Sequence, residues 1–581
     1  MTFGIHQSRF NIRGFNIHGS HAKVCGLFFV YKTNFFEEEQ YMSKISGEIK
    51  RKNKDSKDGR AVNYMGGYSY TVNPLDTLKM ISASSIFGEP QYYRRGKFSN
   101  DGTYRVSDLF RAYSILPEEL NSKKTSEIME DVIDKALDYD FKGTLEWAKT
   151  LRTEFNMRLN PQIIMVRAAE HPKRQEFTAK NPGAFAETNK IVMSRADEPA
   201  SQFAYYLFKN KNKNKIPGIL KKTWKDKLSG LNAYQINKYK NAEIGMIDLV
   251  RVCHACSPEI NELMKTGTVE VAETDQKWET LKASGKTWKE ILDTISLGHM
   301  ALLRNLRGIF TEIDDLDFCK KLMKQLKRGV KNGKQFPFRY KTAMDMIANS
   351  NVNHKQLIMD TLEECIDIAA EDMPKLSGKT ICLSDNSGSA RHTFNSEFGR
   401  VTIANIDNLS SVITARNSDE GYVGVFGDKL TVIPVSKRNG VLKQTTEVDD
   451  TGKNVGMSTE NGIWLFFKNA IDNKEHWDNI VIYSDMQAGH GGLYGTHEGE
   501  KEYTKRGFNA RGSYVDVAKL INEYRKVNPK VNVYCIQTAG YDNVLVPEYG
   551  YRTNIFYGWT GKELNFIDTM NRFWDEHDNR N

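Results

Sequence analysis

The residues best equipped for chemistry lie in the stretch Lys379–Ala390, KTICLSDNSGSA. Thr380–Ser384 is a short, largely apolar run of strand type that ends on Asp385. Asp385-Asn386-Ser387-Gly388-Ser389 then sets one carboxylate and two hydroxyls close together. Hard oxygen donors in that pattern suit one side of a Mg²⁺ or Mn²⁺ ion and leave its octahedron open. Gly388 is the residue least hindered where a turn passes close to an ion. The competing reading of such a loop is a Ser/Asp-rich cap for the helix behind it.

A second apolar run, Ile480–Asp485, also ends on a carboxylate. Asp385 and Asp485 are therefore expected at the same edge of neighbouring parallel strands, where open α/β sheets bind ligands; helix capping is the alternative role for Asp485. Between them lies Gly456-Met457-Ser458-Thr459, a hydroxyl-bearing turn ahead of a helix. Together these residues predict one ion on Ser387 and Ser389, with Thr459 direct or through water. Asp385 and Asp485 would ligate it or accept hydrogen bonds from its waters. Hydrolysis would need a general base beside the ion. His392 and His490, the histidines near enough in sequence, have no supporting pattern, so the site is expected to be non-catalytic.

Residues 374–581 read as the α/β unit that positions these groups. Helices are expected over Glu397–Thr414, Thr459–Ala470, Leu520–Arg525 and Leu564–Trp574. Strands are expected over Asn479–Ser484, Val531–Gln537 and Thr553–Tyr557, and Gly427-Asp428 joins Gly421–Phe426 to Leu430–Val435 as an edge hairpin. Residues 61–373 read as one short amphipathic helix after another. Ser126–Tyr139, with Ile128, Met129, Val132, Ile133, Ala136 and Leu137 on one stripe, is the clearest. Such a succession predicts stacked helix pairs with a concave surface, although no fixed repeat period is visible. Residues 1–60 read as a flexible N-terminal extension, and no signal peptide is expected from Cys25–Tyr31.

The 581 residues carry a formal net charge of +9, which matters because the lysines cluster. Lys209–Lys240 holds ten lysines and one acid, Asp226. Lys209, Lys211, Lys213 and Lys215 fall on a polar loop, and Lys221, Lys222 and Lys225 share a helix with Trp224. Lys320–Lys341 adds Lys324, Lys327, Arg328 and Lys331 among its cations, with no acid. Like charges repel unless a bound anion offsets them, and phosphate is the usual anion. Short basic helices with aromatic neighbours suit backbone and exposed-base contacts better than groove reading. Cys253-His254-Ala255-Cys256 lacks a second half-site and reads as core, not zinc. The seven cysteines have no repeated spacing, which favours a reducing, cytoplasmic compartment. No apolar run of membrane-spanning length appears.

Several motifs in order add a resemblance. Asn63-Tyr-Met-Gly-Gly67, Asp101-Gly-Thr-Tyr104, Leu249-Val-Arg-Val-Cys-His254, Met300–Arg307, Phe336-Pro-Phe-Arg-Tyr340 and the Asp385–Ser389 loop resemble the Ro 60 kDa autoantigen family in its bacterial form. That family pairs a TROVE domain with a von Willebrand factor A domain. The resemblance implies an all-α HEAT-like solenoid closed into a ring by an α/β, Rossmann-like A domain. It further implies binding of small non-coding Y-type RNA and of single-stranded ends of misfolded RNA, a role in RNA quality control, and coupling to an exoribonuclease. A ring made by one chain needs no symmetry mate, so a monomer is expected. The family's metal-site residues match Asp385, Ser387, Ser389, Thr459 and Asp485. Its RNA-binding region matches Gly218, Lys221, Lys222, Trp224, Arg251 and His254. A family histidine that touches Y-type RNA falls at Met246 here. From the residues alone, a metal-dependent protein adaptor on a helical scaffold is the other reading.

Overall fold

In a computed structural model the described residues are 10–12, 15–17, 60–62, 68–70, 73–83, 125–210, 215–240, 244–391, 393–396, 399–457, 461–485, 492–494, 497–509, 514–538, 551–557, 559 and 561–580.

Helix follows helix from Pro74–Ser82 to Lys355–Glu371. Their starts are written in the sequence. Asn73 and Pro74, and Ser257 and Pro258, supply a side-chain cap and a proline in the first turn. The Thr125–Tyr139 stripe is realised, with Met129, Val132, Ile133, Ala136 and Leu137 buried. Helices pack on neighbours one to three places along the chain, as Pro337–Ala348 and Leu316–Arg328 do on Lys355–Glu371 and Gly218–Ser229 does on Met246–Cys253. The chain is thus a helical solenoid joined to an α/β unit.

The α/β unit is built on a six-stranded sheet: β1 (Leu376–Asp385), β2 (Ser418–Phe426), β3 (Leu430–Val435), β4 (Asn479–Ser484), β5 (Asn532–Gln537) and β6 (Thr553–Tyr557). Their spatial order is β6-β5-β4-β1-β2-β3. All neighbours are parallel except the β2–β3 hairpin at the edge. β4 and β5 are buried along their whole length, as a parallel strand covered on both faces must be. The expected hairpin and the strands β4 and β6 lie where the sequence put them.

One expected helix is shorter than its residues suggested. Glu397–Thr414 was read as helical, but Gly399–Thr402 pairs antiparallel with Thr393–Ser396 and the helix is Ile403–Arg416. The reason is a capping box: the Thr402 side chain accepts from the Asn405 amide and Asn405 bonds back to the Thr402 amide.

The helical array meets the α/β unit through Lys355–Glu371, where Asp367 Oδ1 accepts from the Val441 amide at 2.8 Å, and again around Trp559 and Lys562. Trp559 packs on Phe338, ring centroids 4.4 Å apart. Lys562 Nζ sits 4.8 Å from the Phe336 ring centroid and donates to the Glu154 carbonyl at 3.0 Å. Residues 154 and 336 come from early and late in the helical array, so Lys562 ties both to the sheet domain. Burial, reinforced by Lys334, pushes the Lys562 ammonium down to about 8. Its folded pKa is below the unfolded value, so the unfolded chain binds more protons between about pH 8 and 10 and stability rises with pH across that window. Lys562→Met should flatten this dependence, which is on the order of 1–2 kcal/mol, in denaturant titrations at pH 7.5 and 9.5.

Candidate metal loop and nucleic-acid interface

The register β4 to β1 pairs Tyr483 with Ser384, which sets Asp385 level with Ser484 and Asp485 one residue beyond. Both aspartates are fully buried at the C-terminal edge of the sheet. Asp385 Oδ2 accepts from Ser484 Oγ at 2.6 Å and Oδ1 from the Ser387 amide at 3.0 Å. The carboxylate thereby folds the loop back so that the Ser387 and Ser389 hydroxyls lie 3.3 Å apart. Burial pushes the Asp385 carboxyl above its ordinary range, against the pull of the Ser484 and Ser387 hydrogen bonds.

The Gly456 turn is drawn to this loop. The Gly388 amide donates to the Met457 carbonyl at 2.7 Å, and the Met457 amide donates to Asp428 Oδ2 at 3.1 Å. Gly456 has φ +92°, and a Cβ there would fall 2.1 Å from Asp428 Oδ2, so glycine is required. Thr459 lies outside the described residues.

The arrangement fits a magnesium-class ion. It offers two adjacent hydroxyls in front of a carboxylate, and hard oxygen donors are what such ions take. Among the described residues no three His, Cys, Asp or Glu side chains are grouped as metal ligands; the oxygens gathered at the loop are the Ser387 and Ser389 hydroxyls, with the Asp385 carboxylate bonded to the Ser387 amide behind them.

A hydrogen-bonded frame that sequence reasoning missed holds the loop from beneath. Asn408, on the Ile403–Arg416 helix, accepts from Ser384 Oγ at 2.7 Å and from Asn386 Nδ2 at 2.8 Å. Arg391 donates to Asn386 Oδ1 at 2.7 Å and to the Asp449 carbonyl at 3.0 Å. Asp407 and Thr538 are fully buried beside it. The available signal was the pair Asp407-Asn408, which interrupts Ile403, Ala404, Ile406 and Leu409 on a helix otherwise fit for a core.

The basic residues sort into three groups. Lys222 and Lys225 on Gly218–Ser229 are exposed and Lys221 is half-buried. Lys221 and Lys225 are near enough to Cys253 to draw its thiol down, although burial holds that thiol at about 11. Arg251 and His254 are exposed at the same helix end, with Asp248 4.0 Å from Arg251. Lys221 and Lys225 therefore lie on the side of their helix that meets Met246–Cys253, where Arg251 and His254 are exposed. Lys324, Lys327, Arg328 and Lys331 are exposed on the far side of Leu316–Arg328 and the turn after it from the buried Cys319, Leu322, Met323 and Leu326. Lys327 pairs with Glu364. Among the described residues no carboxylate pairs with Lys221, Lys222, Lys225, Lys324, Arg328 or Lys331.

Two assignments need correction. Trp224 is wholly buried, edge-on to Phe203 at 5.6 Å, with its Nε1 donating to Gln202 Oε1 at 2.8 Å; it is core and presents no ring for a base. Lys209 is held at 2.5 Å by the buried Glu130, which also accepts from Tyr205. Lys215 is exposed, and Lys211 and Lys213 lie outside the described residues. Met246, at the position of the family histidine, is buried. Cys253 is buried and Cys256 exposed.

A scan of family models and a search of curated proteins match nothing. Among solved structures, the crystal structure of the Ro (RSR) protein of Deinococcus radiodurans superposes with a TM-score of 0.59 over 86% of this chain and 100% of that one, at 11% identity. The fold is that of the Ro protein. The helices and sheet described above are thus a Ro-type architecture, and its A-type unit carries the Asp385 loop. No helix among the described residues is long and apolar enough to cross a membrane.

Proposed function

We propose that this chain is a non-catalytic RNA-binding protein of the Ro 60 kDa family, acting in the cytoplasm as a monomer. The observation that carries the reading is the cationic surface shared by Gly218–Ser229 and Met246–Cys253, set on a Ro-type fold. Exposed ammonium groups without carboxylate partners favour a polyanion, whose counterions they release on binding. In this reading Lys215, Lys221, Lys222, Lys225, Arg251 and His254 hold the backbone of a small structured RNA, and Lys324, Lys327, Arg328 and Lys331 meet single-stranded ends. Burial of Trp224 leaves phosphate contacts, not stacking, as the main source of affinity. Substituting glutamine for Lys324, Arg328 and Lys331 together should weaken a single-stranded 20-mer more than a hairpin without an overhang, as read by fluorescence anisotropy. Equal effects on both ligands would remove the division of labour.

The A-type unit is proposed to hold one Mg²⁺ or Mn²⁺ ion on Ser387 and Ser389, with Asp385, Asp485 and Thr459 around it. When bound, the ion supplies a Lewis-acid point to which an acidic group of a partner protein, such as a nuclease, can add. Asp385 fixes the loop through the Ser387 amide, and Ser484 fixes Asp385. Met457, 71% exposed beside Gly388, gives that edge an apolar contact suited to protein docking, which also favours the adaptor as a second reading. Millimolar Mg²⁺ should raise the melting temperature of the wild-type protein but not of Asp385→Ala, while RNA affinity stays unchanged. A shift that survives in Asp385→Ala would place the ion elsewhere.

A further inference from the structure

The Ile403–Arg416 helix lays its buried face against β1, and that face carries an acid that the packing does not need. Asp407 is 0% exposed. The Thr538 hydroxyl lies beside it, yet neither carboxylate oxygen completes a hydrogen bond, and the Thr538 hydroxyl completes none either. Among the described residues no lysine, arginine or histidine pairs with it. A carboxyl group in such a place is costly unless something nearby compensates.

Its surroundings show what that could be. The helix that carries it packs on β1 and β4, the strands that run out to Asp385 and Asp485, and burial, with the charges of those two carboxylates, holds its carboxyl above the ordinary range. The next residue, Asn408, is bonded directly to Ser384 and Asn386 on either side of Asp385. Asp407 therefore stands behind the Asp385 loop, at the sheet edge where Asp485 and Thr538 end their strands. It is not grouped with the other acids closely enough for all three to ligate one ion.

We propose that Asp407 is a positioning residue for the metal, accepting hydrogen bonds from metal-bound water behind the Ser387–Ser389 hydroxyls. This rests on the metal reading of the loop given above. Mg²⁺ and Mn²⁺ keep several waters when two hydroxyls and a carboxylate hold one side, and those waters need acceptors. An outer carboxylate orients them and adds negative charge that favours a hard dication. Thr538, beside Asp407, is placed to complete the same water network.

The test is calorimetric titration of MnCl₂ and MgCl₂ into the full-length protein, paired with thermal unfolding in EDTA. Asp407→Asn should weaken Mn²⁺ binding about tenfold and, by relieving the crowding of buried acids, raise the melting temperature in EDTA. Loss of metal affinity together with a gain in metal-free stability is an opposition that a merely structural role would not produce. Asp407→Ser carries the same expectation if the amide variant does not fold. Wild-type Mn²⁺ affinity in Asp407→Asn would overturn the proposal while leaving the metal loop intact. Absence of binding to the wild-type protein, with Ser387→Ala and Ser389→Ala indistinguishable from it, would overturn the metal reading and this proposal with it.

Discussion

Replacing Lys221, Lys222 and Lys225 together by glutamine should cut RNA affinity about 100-fold at 0.1 M salt and flatten its salt dependence. The magnitude follows from counterion release: three phosphate contacts, each adding about 0.7–0.9 to the slope of log K against log salt, sum to at least roughly two. The difference between wild-type and variant should therefore close as salt approaches 1 M. Lys222 and Lys225 are exposed and none of the three has a carboxylate partner among the described residues, so the helix itself should tolerate the change. Surface substitutions of this sort usually move stability by less than about 0.5 kcal/mol. Parallel salt titrations by anisotropy, with melting temperatures as a control, read the effect. A variant with an unchanged slope would show that these lysines are only a solvated face.

Trp224→Ala should destabilise the helical array by about 3–5 kcal/mol, the usual cost of removing a wholly buried large aromatic side chain. The indole sits edge-on to Phe203, and its N–H bond to Gln202 belongs to a buried polar chain that also includes Asn189, Gln162 and Thr223. Removing the indole leaves Gln202 Oε1 with only the longer Asn189 bond at 3.3 Å, as well as leaving a cavity. Trp224→Phe keeps most of the volume and should recover more than half of the loss. Below their melting temperatures both variants should bind RNA as the wild-type does. The opposite pattern, normal stability with lost affinity, would return Trp224 to the RNA surface.

The sheet was legible because its strands are short apolar runs closed by a charged or glycine residue. β4, β6 and the β2–β3 hairpin could be placed from those signals alone. The Asp385 loop was legible for the same reason: a strand that ends in Asp-x-Ser-x-Ser sets its oxygen donors at a known edge of the sheet. The helices Val441–Gly452 and His497–Lys505 were not found, since the first has few apolar residues, spread among threonines and acids, and the second has almost none. Residues 399–402, which pair as a strand where a helix is expected, illustrate a local signal, the Thr402 capping box, overriding propensity. Trp224 and Lys209 were misjudged because composition reports which residues cluster, not which way they turn. The helix that bears Lys222 and Lys225 on its outer side buries Leu220, Thr223, Trp224 and Leu228 on the other. Asp407 escaped notice because a single acid in a helix is ordinarily placed in water; the packing of its helix on β1 shows otherwise.

The deciding question is where RNA touches the chain. Ultraviolet cross-linking of the purified full-length protein to a uridine-rich hairpin with a single-stranded 3′ tail, followed by mass spectrometry of the modified peptides, answers that question. Cross-links concentrated within 215–229, 246–254 and 320–331, and lost when Lys221, Lys222 and Lys225 are neutralised, are the predicted result. Cross-links confined to the sheet domain, or none at 0.15 M salt, would contradict it.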